Sequence, residues 1–336
     1  MGKRIILFLL FVSQWLPFSC AAHIGVEITD FWNNPQGDSV INKNSEYIAI
    51  LGDCQYHFCL PGLDTIYGYY MDWVKTQAES YGNIKALIHT GDIAETNSIS
   101  QYETFKSLTG ELATKVPYFS AIGDHDYTWE GKDYVINDRY STHFNEYVQF
   151  PLSVSHVVTT YEDGRMENCI VKLPIQDNSL FLIFLEFGPR KEVVEWANDY
   201  VSTHTNDKFV VVNHEYLESG GSRRTKNLKC INRLRNTTYV TTDELWTALI
   251  RCNDNIVCVL CGHVDSLFAI TPEVNEVGNE VNQVEFNIQS ERYRPMNWIM
   301  LWEFPSESDS ANVLIYNVKN HQFINKRPYL ARFRYR

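Results

Sequence analysis

Residues 118–126 have the sequence YFSAIGDHD, which joins an apolar run to reactive side chains. Its first five residues form a short, mostly apolar run with aromatic side chains, which is typical of a buried β-strand. Gly123 then permits a sharp turn, because glycine adopts backbone conformations that other residues avoid. The turn is followed at once by Asp124, His125 and Asp126, whose side chains can bind a metal ion or exchange a proton. The stretch therefore predicts a strand with reactive side chains at its carboxyl end.

The same arrangement occurs at four other places in the chain. Further strands are predicted at 47–51, 86–89, 209–212 and 256–260. The side chains that follow them are, in order, Asp53 with Gln55, Asp92, His214, and His263 with Asp265. Helical patterns at 68–80, 98–108, 191–203 and 242–251 alternate with the strands, which predicts an α/β fold. In such sheets, ligands bind outside the carboxyl ends of the strands.

The residue types at these strand ends suit a pair of divalent metal ions. Two ions about 3.5–4 Å apart can activate a water and neutralise the oxygens of a phosphate ester. They need carboxylate and imidazole ligands with positions left open. Each residue alone has an ordinary explanation, because an Asp after Gly commonly caps a helix or forms a turn. Five such strand ends in one chain are not explained in that way, so we predict a two-metal site at a sheet edge.

The order of these motifs resembles the calcineurin-like metallophosphoesterase family, whose pattern is Asp-x-His, Gly-Asp, Gly-Asn-His-Asp or Glu, a His, and Gly-His-x-His. The resemblance extends from about residue 48 to residue 318. It is strongest to an exported branch whose first motif is Asp-x-Gln, through Trp73, Val74, Gly278, Val281, Gln289 and Trp298. The resemblance implies a four-layer αββα sandwich. Because no linker rich in Pro, Gly or Ser interrupts the chain, we expect a single domain over residues 24–336.

The resemblance also implies a role for each site residue. One metal ion would be held by Asp53, Gln55, Asp92 and Asp265. The second would be held by Asp92 as a bridge and by Asp124, His214 and His263. His125 would protonate the leaving group or stabilise the phosphoryl oxygens, and Asp126 would orient His125. The implied activity is hydrolysis of a phosphomonoester or phosphodiester by attack of a metal-bound hydroxide.

Three ligands depart from the family pattern. Gln55 and Asp265 stand where the family has His, and Asp124 stands where it has Asn. Four carboxylates would then face the two ions, against two in the usual pattern. Such hard oxygen ligands favour Mn²⁺ or Mg²⁺ over Zn²⁺, with Fe and Ca²⁺ as further candidates. The departures also leave an alternative open, in which the site is degenerate and the chain is a surface protein that binds a phosphorylated or glycan ligand.

Basic and aromatic residues near the motifs predict contacts to the substrate. The segment 222–235 contains six basic residues and no acidic one, so Arg223 and Arg224 are candidates for binding an anion. The alternative is a solvated basic loop. Arg139 lies in the aromatic insertion 127–150, which would either line the leaving-group side or pack as a lid. The expected substrate is a phosphorylated small molecule or lipid.

The first 20 residues predict export from the cytoplasm. Lys3 and Arg4 precede an apolar run at 5–12 that is too short to span a bilayer, which is typical of a signal peptide. Cys20, followed by small residues, resembles a lipid-attachment site that would fix the protein to a membrane. The expected location is therefore a periplasmic or cell-surface lipoprotein, or a secreted protein. The net charge of −12 argues against nucleic acid as a partner, because phosphate-backbone binding needs clustered cations.

Overall fold

A computed structural model describes residues 41–132, 134–223, 233–235, 238–288, 297–324 and 329–336. The expected signal peptide with Cys20, and the residues Arg224 and Gln289, lie outside these ranges. None of the helices described there combines the length and the apolar character that crossing a bilayer requires.

The described chain alternates strands and helices, as the sequence pattern predicts. The strands are β1 (Ser45–Leu51), β2 (Ile84–His89), β3 (Tyr118–Ser120), β4 (Val157–Thr160), β5 (Cys169–Ile175), β6 (Asn178–Leu185), β7 (Lys208–Asn213), β8 (Ile256–Cys261), β9 (Phe268–Val274), β10 (Glu280–Phe286), β11 (Trp298–Pro305), β12 (Ser310–Asn317), β13 (Gln322–Phe323) and β14 (Ala331–Arg334). The α-helices are α1 (Gln55–Cys59), α2 (Asp64–Tyr81), α3 (Ile99–Thr109), α4 (Phe144–Val148), α5 (Pro151–Val154), α6 (Lys191–Thr203) and α7 (Thr242–Leu245), and α7 continues as a π-helix at Trp246–Ile250.

The strands form two mixed sheets. The first has the order β13-β12-β11-β1-β2-β3, with β14 paired to β12, and the second has the order β4-β5-β6-β7-β8-β10-β9. Strands β1, β2 and β3 are parallel, as are β6, β7, β8 and β10. Parallel neighbours need crossover connections, and α2, α3, α6 and α7 supply those between strands that are consecutive in the chain. The remaining pairs are antiparallel, so both sheets are mixed.

Apolar side chains fill the space between the sheets and beneath the outer helices. Phe119 of β3 meets Phe184 of β6 with ring centroids 6.0 Å apart, so the two sheets face each other. The next residue back along the strand, Tyr118, points to the opposite face and packs on Phe105 of α3. On the second sheet, one apolar face of α6 packs on the strands and on the π-helix. The layers run helix, sheet, sheet, helix, which confirms the predicted αββα sandwich.

The carboxyl ends of five strands meet at one edge of the sandwich. The Cys54 N–H donates to the Asp92 carbonyl at 3.1 Å and joins the turns after β1 and β2. The Gly262 N–H donates to the His214 carbonyl at 2.9 Å and joins the turns after β7 and β8. His214 Nδ1 lies 2.9 Å from the Thr90 carbonyl oxygen and links the two sheets. All the polar strand-end motifs therefore gather at this edge.

Candidate metal centre

Four buried or nearly buried side chains converge where the strand ends meet. They belong to Asp92, Asp124, His214 and His263, and one ligand atom from each lies within 4.8 Å of the others. His214 Nε2 is 3.3 Å from Asp92 Oδ2 and 3.4 Å from Asp124 Oδ1. His263 Nδ1 is 3.3 Å from the same Asp124 oxygen. Two carboxylates and two imidazoles thus face a common point, as the ligands of a divalent cation do.

The backbone brings these ligands together through unusually close approaches. A Cβ atom on Gly123 would lie 2.0 Å from Asp92 Oδ1, and one on Gly262 would lie 2.6 Å from Asp53 Oδ1. Any side chain at either position would displace a carboxylate of the site. Asp92 and His263 have φ angles of 57° and 75°, which are rare for non-glycine residues and concentrate at functional sites. Gly123 and Gly262 are therefore required because a side chain at either position would collide with a carboxylate of the site.

Asp53 and Gln55 lie beside this cluster, on the Asp92 side. Asp53 is fully buried, and its carboxylate accepts hydrogen bonds from the His263 N–H and from Asn287 Nδ2, both at 3.0 Å. Gln55 Nε2 donates to Asp92 Oδ2 at 3.2 Å. The Gln55 Oε1 atom is buried and has no hydrogen-bond partner among the described residues. A buried carbonyl oxygen without a donor is costly in an apo protein and is what a cation would satisfy.

The chemistry of the donor atoms fits a metal site. The contact between His214 Nδ1 and the Thr90 carbonyl requires a proton on Nδ1, so the Nε2 lone pair faces the cluster. Asp124 Oδ1 is buried between two imidazole nitrogens and has no hydrogen-bond donor among the described residues. The residues present therefore suit a centre of the dinuclear, Asp and His type. Asp92, Asp124, His214 and His263 define one position, and Asp53 and Gln55 extend it.

The geometry of the turn after β8 does not support the prediction that Asp265 is a metal ligand. Asp265 is exposed, on the turn after β8, and it does not belong to the four-residue cluster. A different carboxylate lies against the last motif. Buried Glu215 Oε1 is 3.6 Å from His263 Nε2, on the ring atom opposite the one that faces the cluster. A carboxylate in that place orients a ligating histidine. The position of Glu215 directly after His214 was the available signal in the sequence, and it was missed.

His125 lies at the open side of the cluster. Its Nε2 atom is 3.9 Å from Asp92 Oδ2, and its Nδ1 atom is 2.8 Å from Glu95 Oε2. Burial alone would lower the pKa of this imidazole, but nearby carboxylates outweigh burial and raise the pKa to about 10. These carboxylates belong to Asp92, Asp124 and Glu95. The surrounding carboxylates therefore favour the protonated form of the His125 ring, from which it could donate a proton.

The hydrogen bonds of Asp126 do not support the prediction that it orients His125. The Asp126 carboxylate accepts backbone N–H bonds from Asp92, Ile93, Ala94 and Gly123 at 2.9–3.0 Å, and a bond from the Tyr102 hydroxyl at 2.8 Å. Burial and the charge of Asp92 raise the pKa of Asp126 to about 7, yet every partner is a donor, so the site is built for the ionised form. Asp126 thus ties the turn after β2 to the turn after β3, and Glu95 is the residue that holds His125.

Replacing Glu95 by Gln should lower the pKa of His125 by about one unit or more, because an anion 2.8 Å from the ring is removed. Hydrolytic activity should fall about 10- to 100-fold, as for other partners of site histidines. NMR titration of the His125 ring measures the pKa. The matched control is Glu146→Gln, which removes the carboxylate beside His143 in the same way. An unchanged His125 pKa in Glu95→Gln would show that Glu95 does not hold this ring.

The contacts of Arg139 and Arg223 do not support their predicted role in substrate binding. Arg139 is buried, and its guanidinium donates to the backbone carbonyls of Phe187, Gly188 and Thr238. Arg223 donates to Asp243 and pairs with Glu273, and its guanidinium lies 4.9 Å from the Trp246 ring centroid. Both side chains therefore hold the fold together. Arg224, the third predicted contact, lies outside the described residues.

Of the basic-segment residues that the structure describes, Arg233 is the one that reaches the site. Its Nη1 atom donates to Asp124 Oδ2 at 2.6 Å, on the carboxylate oxygen that faces away from the two histidines. The guanidinium lies over the rings of Trp129 and Tyr134, at 5.0 and 5.6 Å from their centroids. Its position in the basic segment 222–235 was the only sequence signal for this contact.

Comparisons with known proteins agree with this geometry. A family model described as calcineurin-like phosphoesterase matches residues 47–267. The uncharacterised protein YvnB of Bacillus subtilis (strain 168) is 22% identical over 281 residues, which is 80% of this chain and 19% of that protein. This chain therefore spans less than a fifth of the length of that relative.

Solved structures resemble this chain at low sequence identity. Purple acid phosphatase PPD1 from yellow lupin seeds aligns with a TM-score of 0.51 at 13% identity, over 86% of this chain and 54% of that one. A 5′-nucleotidase precursor from Thermus thermophilus aligns with a TM-score of 0.44 at 13% identity, over 83% of this chain and 52% of that one. On the match over residues 47–267, this chain belongs to the calcineurin-like phosphoesterase family.

Proposed function

We propose that this protein is a divalent-metal-dependent hydrolase of phosphomonoesters or phosphodiesters. One observation carries the proposal: four buried ligand atoms lie within 4.8 Å of one another at the meeting point of parallel strand ends. When bound there, divalent ions supply an acidified water and neutralise the oxygens of a phosphate ester. The substrate class is a phosphorylated small molecule, and export past the cytoplasmic membrane is proposed from the pattern of residues 1–20.

His125 is the proposed proton donor to the leaving group. It stands next to the ligands without belonging to their cluster, and Glu95 holds its Nδ1 side. The Nε2 side faces the carboxylate pair, where the ester would lie. The backbone N–H of His125 donates to Asp92 Oδ1 at 3.0 Å, which fixes the imidazole relative to the ligand expected to bridge two ions. A proton held this close to the reacting centre can stabilise the departing oxygen.

Mn²⁺ or Mg²⁺ is the proposed metal, although fewer carboxylates meet at the site than the sequence implied. Asp53, Asp92 and Asp124 remain close together, whereas Asp265 does not join them. With three carboxylates, one amide oxygen and two imidazoles, the donor set is still rich in hard oxygen. Activity with Zn²⁺ and none with Mn²⁺ or Mg²⁺ would overturn this preference.

The test is hydrolysis of an aryl phosphate monoester and diester by chelated protein reloaded with Mn²⁺, Mg²⁺ or Zn²⁺. His125→Ala should lower turnover about 10²- to 10⁴-fold while metal content stays at the parent value. His143→Ala, another histidine paired to a carboxylate in the neighbouring segment, should match the parent. If no metal restores hydrolysis to the parent, the chain is instead a degenerate binding protein on this scaffold.

A further inference from the structure

The three buried carboxylates of the site offset much of the positive charge that two divalent ions would supply there. Asp53, Asp92 and Asp124 are each at most 1% exposed, and a phosphate ester is itself anionic. Binding such an ester calls for positive charge in addition to the metal ions. Apart from the two ligand histidines, the described basic residues that reach this cluster are His125 and Arg233.

Arg233 is held in place by two independent sets of contacts. Its backbone carbonyl accepts the Ile136 N–H at 2.8 Å, and the Arg235 N–H donates to the Ile136 carbonyl at 3.0 Å. Leu234 forms a parallel bridge with Ile136 between these bonds. The side chain is anchored by Asp124 and lies over Trp129 and Tyr134. Arg233 is therefore a built part of the site wall, unlike a solvated basic loop.

The Trp129 ring packs against both His125 and Arg233 beside the metal ligands. Its ring centroid is 4.4 Å from that of His125, and the Arg233 guanidinium lies 5.0 Å from it. The indole Nε1 donates to the Asp124 carbonyl at 2.8 Å, which fixes the ring relative to the metal ligand. Because the indole packs against both side chains, this part of the aromatic insertion positions His125 and Arg233 next to Asp124.

We propose that Arg233 is a substrate-binding residue that contacts the phosphoryl oxygens of the ester, opposite His125 across Trp129. This inference rests on the proposed function. The guanidinium has five N–H donors in a planar fork, and the bond from Nη1 to Asp124 uses one of them. The side chain is 23% exposed while Asp124 is fully buried, so the guanidinium reaches from the ligand towards solvent. A planar fork of this kind binds phosphate oxygens in pairs.

The chain offers a matched control on the same basic segment. Arg223 is similarly buried, with 18% of its side chain exposed, and it also lies over an indole ring. Its charge, however, is taken by Asp243 and Glu273, away from the metal ligands. Each variant removes one positive charge from the same basic segment, and the two positions differ in their distance from the metal ligands.

The experiment measures binding of inorganic phosphate by calorimetry to parent, Arg233→Gln, Arg233→Lys and Arg223→Gln, each saturated with Mn²⁺ and with metal content determined separately. Arg233→Gln should weaken phosphate binding about tenfold or more. Arg233→Lys should fall between parent and Gln, because the charge stays and the fork is lost. Arg223→Gln should bind as the parent does.

Equal phosphate affinity in parent and Arg233→Gln would overturn the proposal. It would also be overturned if Arg233→Gln bound metal more weakly but, once saturated with Mn²⁺, bound phosphate as the parent does. Equal weakening in Arg223→Gln would also overturn it, since the effect would then be unspecific charge. Phosphate binding that depends on Arg233 in a parent that hydrolyses no ester would support this inference and reject the proposed hydrolase. The two proposals can therefore fail separately.

Discussion

Replacing Asp92 by Asn should abolish hydrolysis of an aryl phosphate, with a loss of at least about a thousandfold. Asp92 contacts residues on both sides of the site. Its Oδ2 atom lies 3.3 Å from His214 Nε2 and accepts the bond from Gln55, and its Oδ1 atom accepts the His125 N–H. An amide at this position carries no charge and presents a donor to groups that also donate. Bound metal, measured by mass spectrometry of the purified protein, should fall together with activity.

The matched control is Asp265→Asn. The sequence pattern assigns Asp265 to the same metal ion, whereas the structure places it on an exposed turn. We expect this variant to keep the metal content and turnover of the parent. A loss equal to that of Asp92→Asn would show that Asp265 is a ligand and that the turn after β8 closes on the metal.

Replacing Asp126 by Asn should lower the free energy of unfolding by about 3–5 kcal/mol. The carboxylate accepts five hydrogen bonds from donors that are themselves buried, and four of them belong to the backbone of two metal-bearing turns. An Asn would present its own N–H₂ group to those donors and leave some unsatisfied. Urea denaturation of metal-free protein followed by circular dichroism measures the change.

Tyr102→Phe is the control for this prediction, because it removes one of the five donors and leaves the carboxylate in place. It should cost about 1 kcal/mol. If Asp126→Asn is no less stable than Tyr102→Phe, Asp126 does not hold the two turns together. A loss of activity without loss of stability would instead return Asp126 to the catalytic role that the sequence indicated.

Features that depend on neighbours in sequence could be predicted from the sequence alone. Each short apolar run that ends in Gly-Asp, Asn-His or Gly-His is a strand, and its carboxyl end lies at the site, because chain direction and turn chemistry are local properties. Helix α6 runs over the predicted residues because its apolar positions repeat with the helical period. Strand β9 is an example of an element that the sequence pattern did not predict. Strand β9 contains Pro272 and pairs on one side only, and such edge strands carry a weak pattern.

Features that depend on distant partners could not be predicted. Arg139 meets carbonyls 48 and 49 residues away, and Arg233 meets an acid 109 residues away. The sequence around an arginine does not show whether its side chain binds a substrate or a buried backbone carbonyl. The role of Asp126 was mispredicted for the same reason, since four of its five hydrogen-bond partners lie 24–34 residues away in the sequence. The family resemblance assigned Asp265 as a metal ligand from its position in the last motif, whereas the fold places it on the exposed turn after β8.

We propose that this edge of the sandwich binds metal ions in order to hydrolyse phosphoesters. The most direct test is to titrate chelated protein with Mn²⁺ while recording bound metal and hydrolysis of an aryl phosphate in the same samples. We expect hydrolysis to be absent without metal and to rise as two ions bind per chain. Full turnover by the metal-free chain, or a chain saturated with Mn²⁺, Mg²⁺ or Zn²⁺ that hydrolyses no phosphate ester, would contradict it.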